Sequence, residues 1–189
     1  MCEGKGFYLW LMQVIGLLGL IVLCLWLSLR PKSPSYSILF ISLESPSSQN
    51  GTIFYSLEIE NSNKDSSIYY DDILLSFLYG QQEDTVAQTT IGSFHQGTGK
   101  TRVVTEVINA KPGAFKPLLN AISNATAELK VALITRLRYK TWGIKSKFHR
   151  LNLKGILPID SDGKLSRKKK KYPLSSRNNK KLGRVKAKH

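Results

Sequence analysis

The feature that most constrains this chain is a run of 23 residues without a charge, FYLWLMQVIGLLGLIVLCLWLSL, at 7–29. A helix of that length rises roughly 35 Å, enough for a hydrocarbon core of about 30 Å. Inside a bilayer the backbone must satisfy its own hydrogen bonds, so a single helix is the natural form. Phe7, Tyr8 and Trp10 at one end and Trp26 at the other suit the interfacial aromatic belts. Arg30 and Lys32 close the run, and Pro31 stops the helix. A cleavable signal peptide would have a shorter apolar core and a small-residue cleavage site. The segment 27–31, LSLRP, is a poor site. The expectation is an uncleaved transmembrane signal anchor at 7–29, a short N-terminal tail at 1–6 and a linker at 30–34.

Charge separates the two ends of the chain. Residues 164–189 hold 12 basic and no acidic side chains, whereas 1–163 hold 16 basic and 13 acidic. The formal net charge of +15 therefore belongs mostly to the tail. Two cysteines, Cys2 and Cys24, exclude a disulfide scaffold and a thiolate zinc site. Basic residues flank the apolar run on both sides, Lys5 before it and Arg30 and Lys32 after it. That count leans slightly toward a cytosolic C-terminal domain, but long domains translocate largely regardless of charge. Two glycosylation sequons are present, Asn50-Gly51-Thr52 and Asn124-Ala125-Thr126, as many as chance would supply. Cys2, five residues before the span, is a candidate for S-acylation if that end is cytosolic.

From residue 35 to 159 the pattern has period two. Ile53, Tyr55, Leu57 and Ile59 alternate with Thr52, Ser56, Glu58 and Glu60, which predicts a strand with one face buried. Leu129, Val131, Leu133, Leu137 and Tyr139 alternate with Lys130, Arg136, Arg138 and Lys140 in the clearest strand of the sequence. A third runs through Leu151 and Leu153, and weaker candidates cover 36–43, 68–79, 86–91 and 101–107. Polar turns at 45–51, 61–65 and 97–100 separate them. The stretch AFKPLLNAIS within 112–123 suits a short helix despite Pro117. About seven short strands predict an all-β, seven-stranded immunoglobulin/fibronectin III-like β-sandwich.

Four landmarks carry a resemblance. They are LRPKSP directly after the span, Asn61-Ser62-Asn63 followed by Ser67-Ile68-Tyr69-Tyr70-Asp71-Asp72, Ser93-Phe94-His95-Gln96-Gly97, and 138–147, RYKTWGIKSK. In order and spacing the chain resembles the plant late-embryogenesis-abundant group-2 (water stress and hypersensitive response) domain. Its tethered form is similar to the family named for non-race-specific disease resistance and harpin-induced proteins. Ser62 stands where that family has Pro, His95 where it has Tyr, and the last strand lacks a frequent Cys. The resemblance implies a sandwich on one signal anchor, with a cytosolic N-terminus and an exoplasmic domain, usually at the plasma membrane. Relatives also occur at plasmodesmata or in the endoplasmic reticulum. It implies defence and stress signalling through an unidentified protein partner, with no enzymatic activity and no cofactor.

The residues offer little catalytic material. Gly97-Thr98-Gly99-Lys100-Thr101 resembles the end of a phosphate loop, but Phe94 stands where the first Gly belongs and a strand pattern follows, so it reads as a turn. Asp71-Asp72 are consecutive strand residues and would face opposite sides. His95 and His149 have no metal-ligand spacing around them, so no metal site is expected. Tyr139 and Trp142 among Arg136, Arg138, Lys140, Lys145, Lys147 and Arg150 form a basic, aromatic stretch that suits a polyanion or, more blandly, one buried and one solvated face. The segment 160–189 lacks apolar periodicity and is expected to be a disordered basic tail. Arg167, Lys168, Lys169, Lys170 and Lys171 are its candidate polyanion contacts, for anionic lipid or acidic cell-wall polysaccharide. Nucleic acid is not an expected partner of an anchored chain. An alternative to the defence module is a structural tether using this tail at membrane contacts or plasmodesmata.

Topology is testable directly. The full chain made in plant cells is expected to shift in mobility on N-glycosidase treatment, and the shift to disappear in Asn50→Gln or Asn124→Gln. An unglycosylated chain whose tail is digested outside sealed vesicles would put the domain in the cytosol.

Overall fold

A 14-residue strand, Glu128–Thr141, organises the larger part of the chain. The computed structural model describes residues 3–28, 30–47, 50–124, 127–166 and 169–176. They fall into two units, Met1–Lys32 and Ser33–His189.

The first unit is helix α1, Glu3–Ser28. Its stretch Gly6–Trp26 has a mean hydropathy of 2.3 and is long and apolar enough to cross a membrane. Apolar residues surround this stretch, leaving no polar side to face water. Cys24 on it is a free, exposed thiol.

The second unit is mostly β. Strands β1 (Ser35–Ser47), β2 (Asn50–Glu60) and β7 (Thr101–Asn109) join β11 (Tyr172–Pro173) in one antiparallel sheet, ordered β11-β1-β2-β7. The second sheet is ordered β5-β4-β8-β3-β6, from β3 (Ser66–Tyr70), β4 (Ile73–Tyr79), β5 (Asp84–Ile91), β6 (Phe94–Gln96) and β8 (Glu128–Thr141). Strands β9 (Ile144–Lys145) and β10 (His149–Pro158) pair with the other edge of β8. Leu129, Val131, Leu133, Leu137 and Tyr139 of β8 point into a core shared with Ile38, Ile41, Ile53, Tyr55, Leu57 and Ile59 of the first sheet. Alternate residues of β8 point outward, as period two requires.

The stretch 68–79 reads as one strand in the sequence, and the structure divides it. Asp71 and Asp72 break the run: the Asp71 N–H donates to the Arg136 carbonyl at 2.8 Å, and Asp72 Oδ1 accepts from the Ser93 N–H at 2.8 Å. Strands β3 and β4 therefore both pair with β8 but in two separate registers, Ser66–Tyr70 against 141–137 and Leu74–Leu78 against 134–130. Helix α2, Pro112–Ser123, forms where the sequence allowed it. Pro112 sits in the first turn, where its missing N–H costs nothing, and Phe115, Leu118 and Ile122 bury one stripe. Gly51 is required there, because a Cβ would fall 2.0 Å from the Phe115 ring.

A buried polar pin ties the sheets together at one end. Asn61 Nδ2 donates to the Ser66 and Gly97 carbonyls at 3.0 and 2.9 Å, and its Oδ1 accepts from the Asn63 N–H and Nδ2. Gln96 Nε2 donates to the Ile59 and Lys100 carbonyls at 3.0 and 2.7 Å, and its Oε1 accepts from the Tyr70 hydroxyl at 2.8 Å. Each buried amide is thus satisfied, which is what makes its burial tolerable.

The expectation of a disordered tail from 160 onward is corrected by the structure. Leu165, Tyr172 and Leu174 are buried in the core. The Leu165 N–H donates to Ile41 O, and the Leu174 N–H to Tyr36 O, on β1 of the first sheet. Ser175 and Lys154 exchange two backbone bonds on β10 of the second. The segment laces the edges of both sheets, and Gly155 accommodates it, since a Cβ would lie 2.5 Å from the Leu174 side chain. The sequence hid this because three apolar residues are scattered among lysines with no sustained period. Residues 177–189 lie outside the described residues.

Truncation separates these two parts of the tail. A chain ending at Ser176 is expected to unfold at the temperature of the full chain. One ending at Ile159 is expected to lose several kcal/mol, since each buried Leu or Tyr contributes about 1.5–3 kcal/mol. Thermal unfolding of the β signal in detergent checks both.

Candidate functional site

The outward face of the second sheet gathers the basic, aromatic stretch of the sequence and adds partners to it. Strand pairing places Tyr69 between His95 on β6 and Arg138 on β8, and Arg136 opposite Arg150 on β10. Lys140 lies opposite Lys145 on β9. All of these sit on the face away from the core, because their neighbours Ile68, Tyr70, Leu137 and Tyr139 are buried.

Arg138 is the centre of the cluster. Its guanidinium carbon lies 5.6 Å from the Tyr69 ring centroid and 5.0 Å from that of Phe148. Lys145 Nζ is 5.1 Å from the same Tyr69 ring, and His95 packs against that ring at 4.4 Å. Cations held over aromatic faces are attracted by the ring quadrupole. Arg138 Nε is shielded from solvent and has no hydrogen-bond partner. It lines a cleft of about 300 Å³ together with Tyr69, Asp71, Ser93, Phe94 and Phe148. Arg136 differs, because its Nε and Nη2 both donate to Asp71 Oδ2, at 3.0 and 2.6 Å. Asp71 therefore neutralises Arg136 and leaves Arg138, Lys140, Lys145, Lys147 and Arg150 to set the charge of the face.

The turn after β8 is unusual. Trp142 and Gly143 both have positive φ, 50° and 84°, between the paired residues Thr141 and Ile144. That is the two-residue hairpin geometry in which Asn-Gly or Gly-Gly is ordinarily found. An aromatic residue there costs on the order of 1 kcal/mol. Trp142 nonetheless leaves 74% of its surface exposed, and Ile144 77%.

The remaining sequence candidates are dispersed. Tyr139 is a core residue and not part of the basic face. Burial raises the hydroxyl pKa of Tyr36, Tyr55, Tyr70 and Tyr139 above the ordinary tyrosine value, so none acts as a base near neutrality. Asp71 and Asp72 are occupied, one by Arg136 and one by the Ser93 N–H. Among the described residues no group of three His, Cys, Asp or Glu side chains gathers to hold a metal. Lys171 is paired with Glu58, and that hydrogen bond raises its pKa. Lys169 and Lys170 are exposed, while Arg167, Lys168 and Cys2 lie outside the described residues. Asn50 begins β2 and Asn124 follows α2, both at the end of the domain opposite the Trp142 turn. Tyr69, Asp71 and Phe148 were missed as partners in this site. Tyr69 and Asp71 lie more than 60 residues from Arg138 in sequence, and only the β3–β8 register reveals them.

No family model matches the chain. Protein NDR1 of Arabidopsis thaliana is 31% identical over 169 residues, covering 80% of this chain and 74% of that protein. The chain belongs to the NDR1 family. Among solved structures, the AT1g01470 protein from Arabidopsis thaliana matches 69% of the chain and 85% of its own, at 11% identity and a TM-score of 0.44. A protein from Archaeoglobus fulgidus matches 66% and 95%, at 7% identity and a TM-score of 0.33. At these scores neither likeness bears on what this NDR1 family member does.

Proposed function

We propose that this NDR1 family member is a single-pass, membrane-anchored, non-enzymatic binding module of plant disease resistance and stress signalling. The domain is an immunoglobulin/fibronectin III-like sandwich, its sheet edges joined by the chain around Leu165, Tyr172 and Leu174. The anchor is α1, with its N-terminus cytosolic and the domain exoplasmic, at the plasma membrane or in plasmodesmal or endoplasmic-reticulum membrane. What supports the defence role is kinship with Protein NDR1. What supports anchoring is the apolar helix Gly6–Trp26.

The observation that carries the binding reading is Arg138, whose guanidinium lies against the Tyr69 and Phe148 rings at the wall of a cleft. A guanidinium flanked by rings presents its donors in a fixed plane that matches a carboxylate or phosphate. The partner is therefore acidic at its point of contact. A tether acting through Arg167–Lys171 is the alternative, but Lys171 is already engaged by Glu58, which favours the sheet face.

The test is complementation. In plants lacking this chain, pathogen growth in leaves is expected to rise, and the wild-type chain to restore resistance. Arg138→Glu, expressed and glycosylated as wild type is, is expected not to restore it. Full restoration by Arg138→Glu would remove the face from the account, and unchanged growth without the chain would remove the defence role.

A further inference from the structure

The Trp142 turn is not explained by folding alone. Among the described residues of the domain, Trp142 and Ile144 are the most exposed of the large apolar side chains, and Phe148 follows shortly after at 54%. The positive φ of Trp142 disfavours a bulky side chain, so the turn retains Trp against its own backbone preference. Such an outlier points to a role outside the fold.

Its place in the domain indicates what it meets. Ser35, the first residue of β1, pairs with Glu60, and Glu60 with Thr101. Ser66 pairs with Thr141 in the other sheet. The Asn61–Gly97 hydrogen bond joins the turns between these strands. The chain therefore enters the domain at the same end as the Trp142 turn. Six residues, 29–34, separate α1 from β1, a reach of at most roughly 25 Å between Ser28 and Ser35. The same end carries Lys64, Lys100, Lys140, Lys145 and Lys147 against Glu60 and Asp65.

We infer that the β8–β9 turn docks onto the membrane surface, with Trp142 and Ile144 in the headgroup layer and Lys145 and Lys147 against lipid phosphates. Tryptophan is at home at that interface, since its ring is apolar and its N–H can reach water or a headgroup. Lysines close to lipid phosphates add an electrostatic attraction that salt screens within a Debye length. This contact uses the end of the second sheet and shares Lys145 with the Tyr69 ring of the basic face. The inference rests on the anchored reading of α1.

The experiment uses the full chain with Trp10→Phe and Trp26→Phe, which leaves Trp142 as its sole tryptophan. The chain is reconstituted into vesicles of phosphatidylcholine with brominated acyl chains, and alkaline extraction checks that it stays in the bilayer. Trp142 emission is expected to shift to the blue and to be quenched. Lys145→Glu with Lys147→Glu, or high salt, is expected to reverse both changes. Water-like, unquenched emission from a chain that resists extraction overturns the docking and leaves the anchor standing. Release on extraction overturns both. Quenching that ignores salt and the charge reversal overturns the role assigned to the lysines.

Discussion

Strand β8 is committed on both of its faces, and the rest of the domain depends on that. Its inward residues Leu129, Val131, Leu133, Leu137 and Tyr139 hold the core. Its outward residues Arg136, Arg138 and Lys140 form the basic face, and its last turn presents Trp142. Period two allows no slippage here, because a one-residue shift would bury the arginines and expose the leucines. Four other strands take their register from β8. Site and core are thus fixed by one pattern.

The second constraint is the polar pin at the end where the chain enters the domain. Asn61 and Gln96 bind backbone carbonyls on neighbouring turns and hold the two sheets in fixed relation. A buried amide that lost such partners would bear its full desolvation penalty, about 1–3 kcal/mol. The short landmarks that mark the family in sequence meet at this end. Asn61 contacts Gly97, Ser66 contacts Thr141, Tyr69 stacks on His95, and Asp71 pairs with Arg136.

Much of this architecture was legible. The apolar run at 7–29 predicts one long helix, and α1 covers it from Phe7 to Ser28. The alternation in 52–60 and 129–140 told which side chains face inward, because a half-buried strand writes its faces directly into the sequence. What failed was tertiary. The break at Asp71-Asp72 is set by a hydrogen bond to Arg136, 65 residues away. The burial of Tyr172 and Leu174 depends on the gap left by Gly155, which no local pattern around the lysine run reveals. Tyr69 and Phe148 look like ordinary strand and loop residues until β3 and β10 lie on either side of β8. The basic stretch was visible, but the rings that hold its central arginine came from elsewhere in the chain.

The claim that β8 divides folding from binding is tested most directly by adjacent substitutions on it. Thermal unfolding of the full chain in detergent would be measured for Leu137→Ala and Arg138→Ala. Leu137→Ala is expected to cost about 2–5 kcal/mol, as the loss of a buried leucine does. Arg138→Ala removes only half-exposed cation–ring contacts, each worth about 0.5–1 kcal/mol, so its cost is expected to be well below that of its neighbour. Equal destabilisation by the two would show that the Arg138 cluster belongs to the core, and would contradict the account.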